Sequence, residues 1–167
     1  MADALATRAA APADLAALAR IYNQGIADRS ATFETAPRTA ADLAGWLERP
    51  GPVIVVERGA EVIAFAAAAP YSPRPCYAGV AELSIYVDRA ARGQGAGRAA
   101  GAAMLRALEA GGYWKAVGKV FPENEASLAL LRALGFREVG RHRRHARLDG
   151  AWRDVVVVER LLGDAAR

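Results

Sequence analysis

The chain has 167 residues, 53% of them hydrophobic and 24% charged, a balance that fits one globular domain and excludes an intrinsically disordered chain. No apolar run approaches the roughly 20 residues that span a bilayer, and the alanine-rich start lacks the features of a secretory signal, so we expect a cytoplasmic protein. The net charge of +4 suits an acidic ligand or a nucleic acid, and the lone Cys76 excludes an intrachain disulfide.

Proline and capping signals place two helices after a short N-terminal strand. We predict a strand at residues 4–8 and then a helix at 12–28, in which apolar residues recur every three to four positions. The short, mixed stretch 30–35 is predicted to be a loop. Thr39 is expected to cap a second helix, which the run Pro50-Gly51-Pro52 ends.

The remaining chain alternates strands with two more helices. Strands are predicted at 53–57, 62–68, 80–87 and 116–120, from Phe136 onward, and at 155–158. Helices are predicted at 95–110 and 123–134, and Asp149-Gly150 is a hairpin turn signal. The order β-α-α-β-β-β-α-β-α-β-β predicts an α/β fold, a mixed and mostly antiparallel sheet with helices on both faces. We expect one domain over residues 5–163, with flexible termini at 1–4 and 164–167.

A glycine-rich turn follows the strand predicted at 80–87 and opens the next helix. Its residues are Arg92, Gly93, Gln94, Gly95, Ala96, Gly97 and Arg98. Glycines let the backbone approach a ligand, and the first N–H groups of a helix lack intrahelical acceptors, so such a turn binds anions. No Gly-Lys-Ser/Thr follows, which excludes a Walker A site, and the preceding 80 or so residues disfavour a dinucleotide-binding fingerprint. A turn of purely structural function is the alternative.

Glu82 is the only acidic residue of the strand at 80–87, and its neighbours are apolar. A carboxylate at the centre of a strand can remove the proton from an amine before that amine attacks an acyl group. A backbone N–H of the same strand can stabilise the developing oxyanion. The structural alternative is a strand glutamate with a satisfied hydrogen bond.

Two segments together resemble the GCN5-related N-acetyltransferase (GNAT) superfamily. Residues 92–97 match its Arg/Gln-x-x-Gly-x-Gly/Ala signature, and residues 124–136, an Asn-led helix that ends in Gly-Phe, are similar to its second signature. The segments that resemble the phosphinothricin N-acetyltransferase group are Ile21-Tyr22-Asn23, Thr32-Phe33-Glu34, residues 81–87 and residues 149–155. Residues 21–29 look closest to the arsinothricin branch. Members of this group detoxify glutamate-like antimetabolites by acetylating their α-amine.

The resemblance implies acetyl-CoA as cosubstrate and assigns roles to individual positions. The implied cofactor-binding residues are the backbone of Ile85, Tyr86 and Val87 for the pantetheine arm, residues 92–98 for the pyrophosphate, and Asn124 and Ser127. The implied substrate-binding residues are Thr32, Phe33, Arg74 and Glu82, with Glu82 as the general base. Leu131 stands where relatives carry a Tyr or His as proton donor, so the proton for the CoA thiolate is left to solvent. The resemblance also implies a homodimer through the C-terminal strands, direct acetyl transfer, and antibiotic resistance.

Other functions remain open from the sequence. The same fold can acetylate a protein N-terminus, a polyamine or an aminoglycoside, although a cationic acceptor favours an acidic pocket over Arg74. The basic segment 141–147 can bind nucleic acid, the 3′-phosphate of CoA or a second subunit, or it can be a solvated strand face. We favour a small-molecule amino-acid substrate, with no nucleic-acid or membrane partner. His142 and His145 have no acidic companion at ligand spacing, so we expect no metal site.

Overall fold

The computed structural model describes residues 4–167, and the first three positions of the predicted flexible segment 1–4 lie outside that range. The strands are β1 Leu5–Ala9, β2 Val53–Arg58, β3 Glu61–Pro70, β4 Val80–Val87, β5 Lys115–Val120, β6 Arg137–Leu148 and β7 Ala151–Leu161. The helices are α1 Leu15–Asp28, α2 Ala40–Leu43, α3 Ala96–Ala110 and α4 Glu125–Ala133. The predicted order of elements is confirmed. A 3-10 turn, Gly163–Ala166, occupies most of the predicted C-terminal tail.

The seven strands form one sheet in the order β1-β2-β3-β4-β5-β7-β6. Every neighbouring pair is antiparallel except β4 and β5, which are parallel and joined through α3. The expected mixed, mostly antiparallel sheet is therefore confirmed. In the predicted turn after β6, Asp149 and Gly150 both have positive φ, as a tight hairpin between β6 and β7 requires.

Alternating side chains of the central strands build a separate core on each face of the sheet. On one face α3 and α4 pack against residues such as Ile54 and Ala66, and on the other α1 and α2 pack against Val55 and Phe65. Side chains of β2 and β3 are buried on either face of the sheet, which explains the continuous apolar sequence of these two strands. The prediction of helices on both faces is confirmed. Within residues 4–167, no helix has the length and apolarity needed to cross a bilayer.

The second helix and the last hairpin differ from the prediction in extent. Thr39 caps α2 as expected, accepting a hydrogen bond from the Asp42 N–H at 3.2 Å. The α-helix nevertheless ends at Leu43 and continues as a 3-10 turn, because Gly45 is a poor α-helix former. Strand β7 is longer than the predicted 155–158, because cross-strand pairing to β6 extends regular structure into polar residues without an apolar pattern.

Candidate active site

Strands β4 and β5 separate and leave a V-shaped opening in the sheet. They pair only where residues 80–82 face residues 115–117. Beyond that point β4 stays paired with β3 as far as Val87, and β5 stays paired with β7 as far as Val120. The β5-facing backbone groups of residues 83–87 therefore have no strand partner, and an extended ligand can hydrogen-bond to them as a further strand would.

A cleft of about 500 Å³ runs from this opening to the start of α3. Its lining includes Ile85, Tyr86, Val87, Arg92, Gly93, Gly95, Gly97, Arg98, Asn124 and Ser127, ten of the twelve predicted cofactor-binding residues. The sequence placed these residues in three separate segments, and the fold brings them to one cleft. The other two, Gln94 and Ala96, are absent from the lining: the Gln94 amide donates to the Ala90 carbonyl at 3.0 Å, and the Ala96 side chain is buried.

The start of α3 has the geometry of an anion site. Gly95 precedes the helix with a φ of +87°, a conformation that few L-residues adopt. The Ala99 N–H donates to the Gly95 carbonyl at 3.0 Å, so the helical N–H groups before it have no intrahelical acceptor. At Gly97 a Cβ atom would lie 3.1 Å from Leu130 and 3.3 Å from Val87, which lets α3 pack closely against α4 and β4.

The two arginines that flank the turn differ in their surroundings. Arg92 donates to Asp28 at 2.7 Å, and Arg89 pairs with the other oxygen of the same carboxylate at 2.6 Å. Burial opposes the charge on Asp28, but hydrogen bonds from Arg92 and Arg89 outweigh it and lower the pKa of the carboxyl group. Arg98 is exposed at the rim of the cleft. Both guanidinium groups add positive charge at the helix N-terminus, where an anion would lie.

Asn124 joins the two walls of the cleft. Its side-chain oxygen caps α4 by accepting from the Ser127 N–H at 3.2 Å, and its amide nitrogen donates to the Ser30 carbonyl after α1 at 3.1 Å. Asn124 therefore holds α4 and the segment after α1 at a defined separation. Leu131 lies on α4 and is only 6% exposed, and it lines the opening between β4 and β5 without any group that can donate a proton.

A second cavity, of about 680 Å³, adjoins the opening from the α1 side of the sheet. Three of the four residues that were predicted to bind substrate line it: Thr32, Phe33 and Glu82. The Phe33 ring packs edge-on against Phe121 with 4.9 Å between centroids, so it is a wall of the cavity. The side chains of Glu82, Ser84 and Tyr86 share one face of β4 because they alternate along it.

Lys119 is a charged neighbour of Glu82 that the sequence analysis did not identify. Its Nζ lies 3.2 Å from Glu82 Oε2, and both side chains are partly exposed. Glu82 pairs with Val117 across β4 and β5, so the next residue on the same face of β5 is Lys119. The alternation of side chains along β5 could have identified Lys119, but only once the parallel register of β4 and β5 was known. The Glu82 carboxylate faces the cavity with a cation beside it.

Tyr86 contributes a half-buried phenol where the two cavities meet. Its ring stacks on Phe65 and packs edge-on against Tyr22 at centroid distances of 5.3 and 5.0 Å. Burial raises the pKa of Tyr86, so the phenol stays protonated and cannot serve as a base near neutral pH. The resemblance to GNAT enzymes implied a role only for the backbone of this residue.

Three features of the sequence lie wholly or mostly outside these cavities. Arg74 is exposed in the loop before β4, 5.7 Å from the Tyr77 ring centroid, and it lines neither cavity, so its role stays a prediction. Trp152, within the segment 149–155 that resembles the phosphinothricin N-acetyltransferase group, is 51% exposed under Arg147. The basic segment 141–147 is mostly exposed on β6, although His145 reaches the second cavity. Within residues 4–167, no three His, Cys, Asp or Glu side chains cluster as metal ligands do.

Comparison with known proteins agrees with this arrangement. The sequence profile of the Acetyltransferase (GNAT) family matches residues 18–136. A phosphinothricin N-acetyltransferase from Streptomyces coelicolor is 33% identical over 156 residues, which cover 89% of this chain and 91% of the relative.

Two solved structures are similar along nearly their whole length. The ribosomal-protein-alanine N-acetyltransferase from Brucella melitensis matches with a TM-score of 0.90 and 30% identity, over 94% of this chain and 99% of the other. A GNAT superfamily phosphinothricin acetyltransferase from Sinorhizobium meliloti, solved in complex with AcCoA, matches with a TM-score of 0.89 and 29% identity, over 96% of this chain and 89% of the other.

Proposed function

Because the chain belongs to the Acetyltransferase (GNAT) family, we propose that it transfers an acetyl group from acetyl-CoA to the α-amine of a glutamate-like amino acid. The leading substrates are phosphinothricin, arsinothricin and methionine sulfoximine or sulfone, and the outcome for the cell is resistance to such antimetabolites. The relative from Streptomyces coelicolor and the structure from Sinorhizobium meliloti support this substrate class through their names.

One observation carries the proposal: the unpaired edge of β4 leads directly to the free N–H groups at the start of α3. This arrangement fits acetyl-CoA, whose pantetheine arm has amides that can pair with residues 85–87 and whose pyrophosphate suits a helix N-terminus. Asn124 and Ser127 lie on the opposite wall, within reach of the same arm. The thioester would then lie near the opening, close to the second cavity.

Glu82 is proposed as the general base. The acceptor enters as an ammonium ion, and its proton moves to the Glu82 carboxylate directly or through water. The free amine then attacks the thioester carbonyl carbon, so that a C–N bond forms, the C–S bond breaks, and the nitrogen releases its second proton to solvent. A backbone N–H on the open edge of β4 stabilises the oxyanion that develops. Since Leu131 has no proton to give, the thiolate takes one from solvent.

Direct transfer without an acyl-enzyme is proposed, because the lone cysteine, the strongest candidate nucleophile for a thioester, does not line the opening. Cys76 is exposed in the 3-10 turn Pro75–Tyr77, and it lines neither of the two cavities. A thiol there cannot reach a thioester bound between β4 and β5. Transfer in a ternary complex is the remaining route.

A protein N-terminus is the second candidate acceptor, favoured by the likeness to the Brucella melitensis enzyme. The two candidates differ in the size and charge of the acceptor. Release of CoA should be measured against phosphinothricin, arsinothricin, methionine sulfone, spermidine, an aminoglycoside and a peptide with N-terminal alanine. Turnover of the peptide or spermidine without turnover of any glutamate-like amino acid would reject the proposed substrate class.

We also propose a cytoplasmic homodimer. The use of acetyl-CoA as the acetyl donor supports the cytoplasmic location. Strand β6 is an edge of the sheet, and Val139, Trp152 and Leu161 on the final hairpin are exposed, which supports pairing through this region. Sedimentation analysis at micromolar concentration tests it, and a monomer would contradict it.

A further inference from the structure

A third cavity, of about 320 Å³, extends the acceptor site away from the cofactor cleft. It shares Thr32, Glu34, Glu82, Ser84 and Tyr86 with the second cavity, so the two are lobes of one acceptor space that meet at Glu82. The residues confined to the new lobe include Tyr22, Trp46 and Arg49. An amino acid whose amine lies at Glu82 can therefore extend toward Arg49.

Arg49 is the cation in this lobe without an acidic partner. The two carboxylates of the lobe are already paired, Glu34 with Arg38 at 2.7 Å and Glu82 with Lys119 at 3.2 Å. Among the described residues 4–167, Arg49 forms neither an ion pair nor a side-chain hydrogen bond, and its Nε is buried without any partner. The lobe therefore has an unbalanced positive charge next to the proposed base.

The position of Arg49 is held by packing. Its guanidinium lies 5.1 Å from the centroid of the Trp46 ring, and Trp46 in turn packs edge-on against Tyr22. Burial lowers the pKa of Arg49, yet a guanidinium stays charged at any pH at which the protein folds. The buried Nε without a partner is costly in a folded protein, and an anion bound by the terminal guanidinium nitrogens would offset that cost through its charge.

We propose that Arg49 binds an anionic group of the acceptor, its α-carboxylate or the acidic group of its side chain, and so selects glutamate-like amino acids. This inference rests on the proposed function and moves the anion-recognition role from the exposed Arg74 to a residue of the cavity itself. A guanidinium offers two parallel N–H donors to a carboxylate, phosphinate or arsonate-type oxygen pair, which a lysine cannot reproduce.

The test compares Arg49→Met, Arg49→Lys and the control Arg106→Met in steady-state acetylation of phosphinothricin. Methionine keeps the aliphatic stem against Trp46, and Arg106 is an exposed arginine on α3. Arg49→Met should raise KM for phosphinothricin by about 30-fold with kcat changed less than about threefold, and Arg49→Lys should recover part of the loss. Arg106→Met should behave as the unchanged protein. Calorimetric binding of acetyl-CoA should be the same in all four proteins.

Two further acceptors separate the sources of the anion. If KM for methionine sulfone, which has no acidic side chain, rises as much as KM for phosphinothricin, Arg49 binds the α-carboxylate. If only phosphinothricin is affected, Arg49 binds the acidic side chain. An unchanged KM in Arg49→Met for every acceptor that the unchanged protein acetylates overturns the Arg49 role alone. No turnover of any glutamate-like amino acid by the unchanged protein overturns the proposed function, and the Arg49 role with it.

Discussion

Replacing Glu82 with Gln is the most direct test of the proposed chemistry. The substitution keeps the size of the side chain and removes its ability to accept the proton of the acceptor ammonium. General bases contribute on the order of 10² to 10⁴ in rate, and we expect kcat to fall at least about tenfold, since water can replace part of the function. Cofactor binding should be nearly kept, because Glu82 does not line the cofactor cleft.

The structure also bounds the effect of this substitution on stability. The Glu82–Lys119 ion pair has side chains that are 35% and 43% exposed, so its loss should cost no more than about 1 kcal/mol. For a chain of this size that corresponds to a fall in melting temperature of about 2–4 °C. A loss of activity in Glu82→Gln therefore cannot be explained by unfolding at 25 °C.

The assay follows CoA release with a thiol reagent at saturating acetyl-CoA, and calorimetry gives the Kd of acetyl-CoA. Glu123→Gln is the matched control, since Glu123 is an exposed glutamate whose pair with Arg153 is long, at 3.8 Å. A kcat of Glu82→Gln within twofold of the unchanged protein would refute the assignment of the base. A large rise in the Kd of acetyl-CoA would refute the separation of the acceptor cavity from the cofactor cleft.

Three further predictions test other parts of the structure. Gly95→Ala and Gly112→Ala both place a methyl group at positive φ with no atom closer than 4.0 Å, so each variant should lose about 1–2 kcal/mol of stability in urea melts. Only Gly95→Ala should weaken acetyl-CoA binding in calorimetry. Equal affinities of the two variants for acetyl-CoA would contradict the anion site at the start of α3. Because Arg74 lines none of the three cavities, Arg74→Ala should leave KM for an acidic acceptor nearly unchanged, and a marked rise in KM would return the anion-recognition role to Arg74. Hydrogen bonds from Arg8, at 2.7 and 2.9 Å, lower the pKa of the buried Asp14. Asp14→Asn should therefore lower the free energy of unfolding by about 1–2 kcal/mol at pH 7, because the stabilisation from the charged carboxylate is present above the ordinary pKa of an aspartate. This loss should shrink as the pH falls below about 4 and through the depressed pKa of Asp14, where the carboxylate becomes protonated. A difference in stability that does not depend on pH would contradict this.

Much of the fold followed from local patterns. Strand β4 was predicted at its observed bounds, because a continuous run of apolar and β-branched residues has few alternatives. Residues that cap or turn the chain also act locally: Thr39 begins α2, and the Asp149-Gly150 pair turns β6 into β7. Boundaries set by pairing with a distant strand were less predictable, as the length of β7 shows.

The residues of the candidate site also fall into two groups, those that local sequence patterns indicate and those that only the tertiary structure brings to the site. The glycine turn before α3, Asn124 and Glu82 are marked by residue type and by position relative to a strand or helix, and these the sequence could indicate. Arg49 and Lys119 have no such mark, since an arginine after a short helix and a lysine in a strand are ordinary solvent-facing residues. Their nearness to Glu82 depends on the parallel register of β4 with β5 and on the packing of α2.

The sequence by itself determined the kinds of element, their order and the glycine-rich turn before α3, because periodicity, capping and glycine conformations act over a few residues. Only the tertiary structure decided where β4 and β5 part, since strand separation is a property of two segments and of the further strands that pair with each. It also decided that Arg49, rather than the exposed Arg74, faces the space beside Glu82, because burial and charge balance in a cavity are set by side chains from distant parts of the chain.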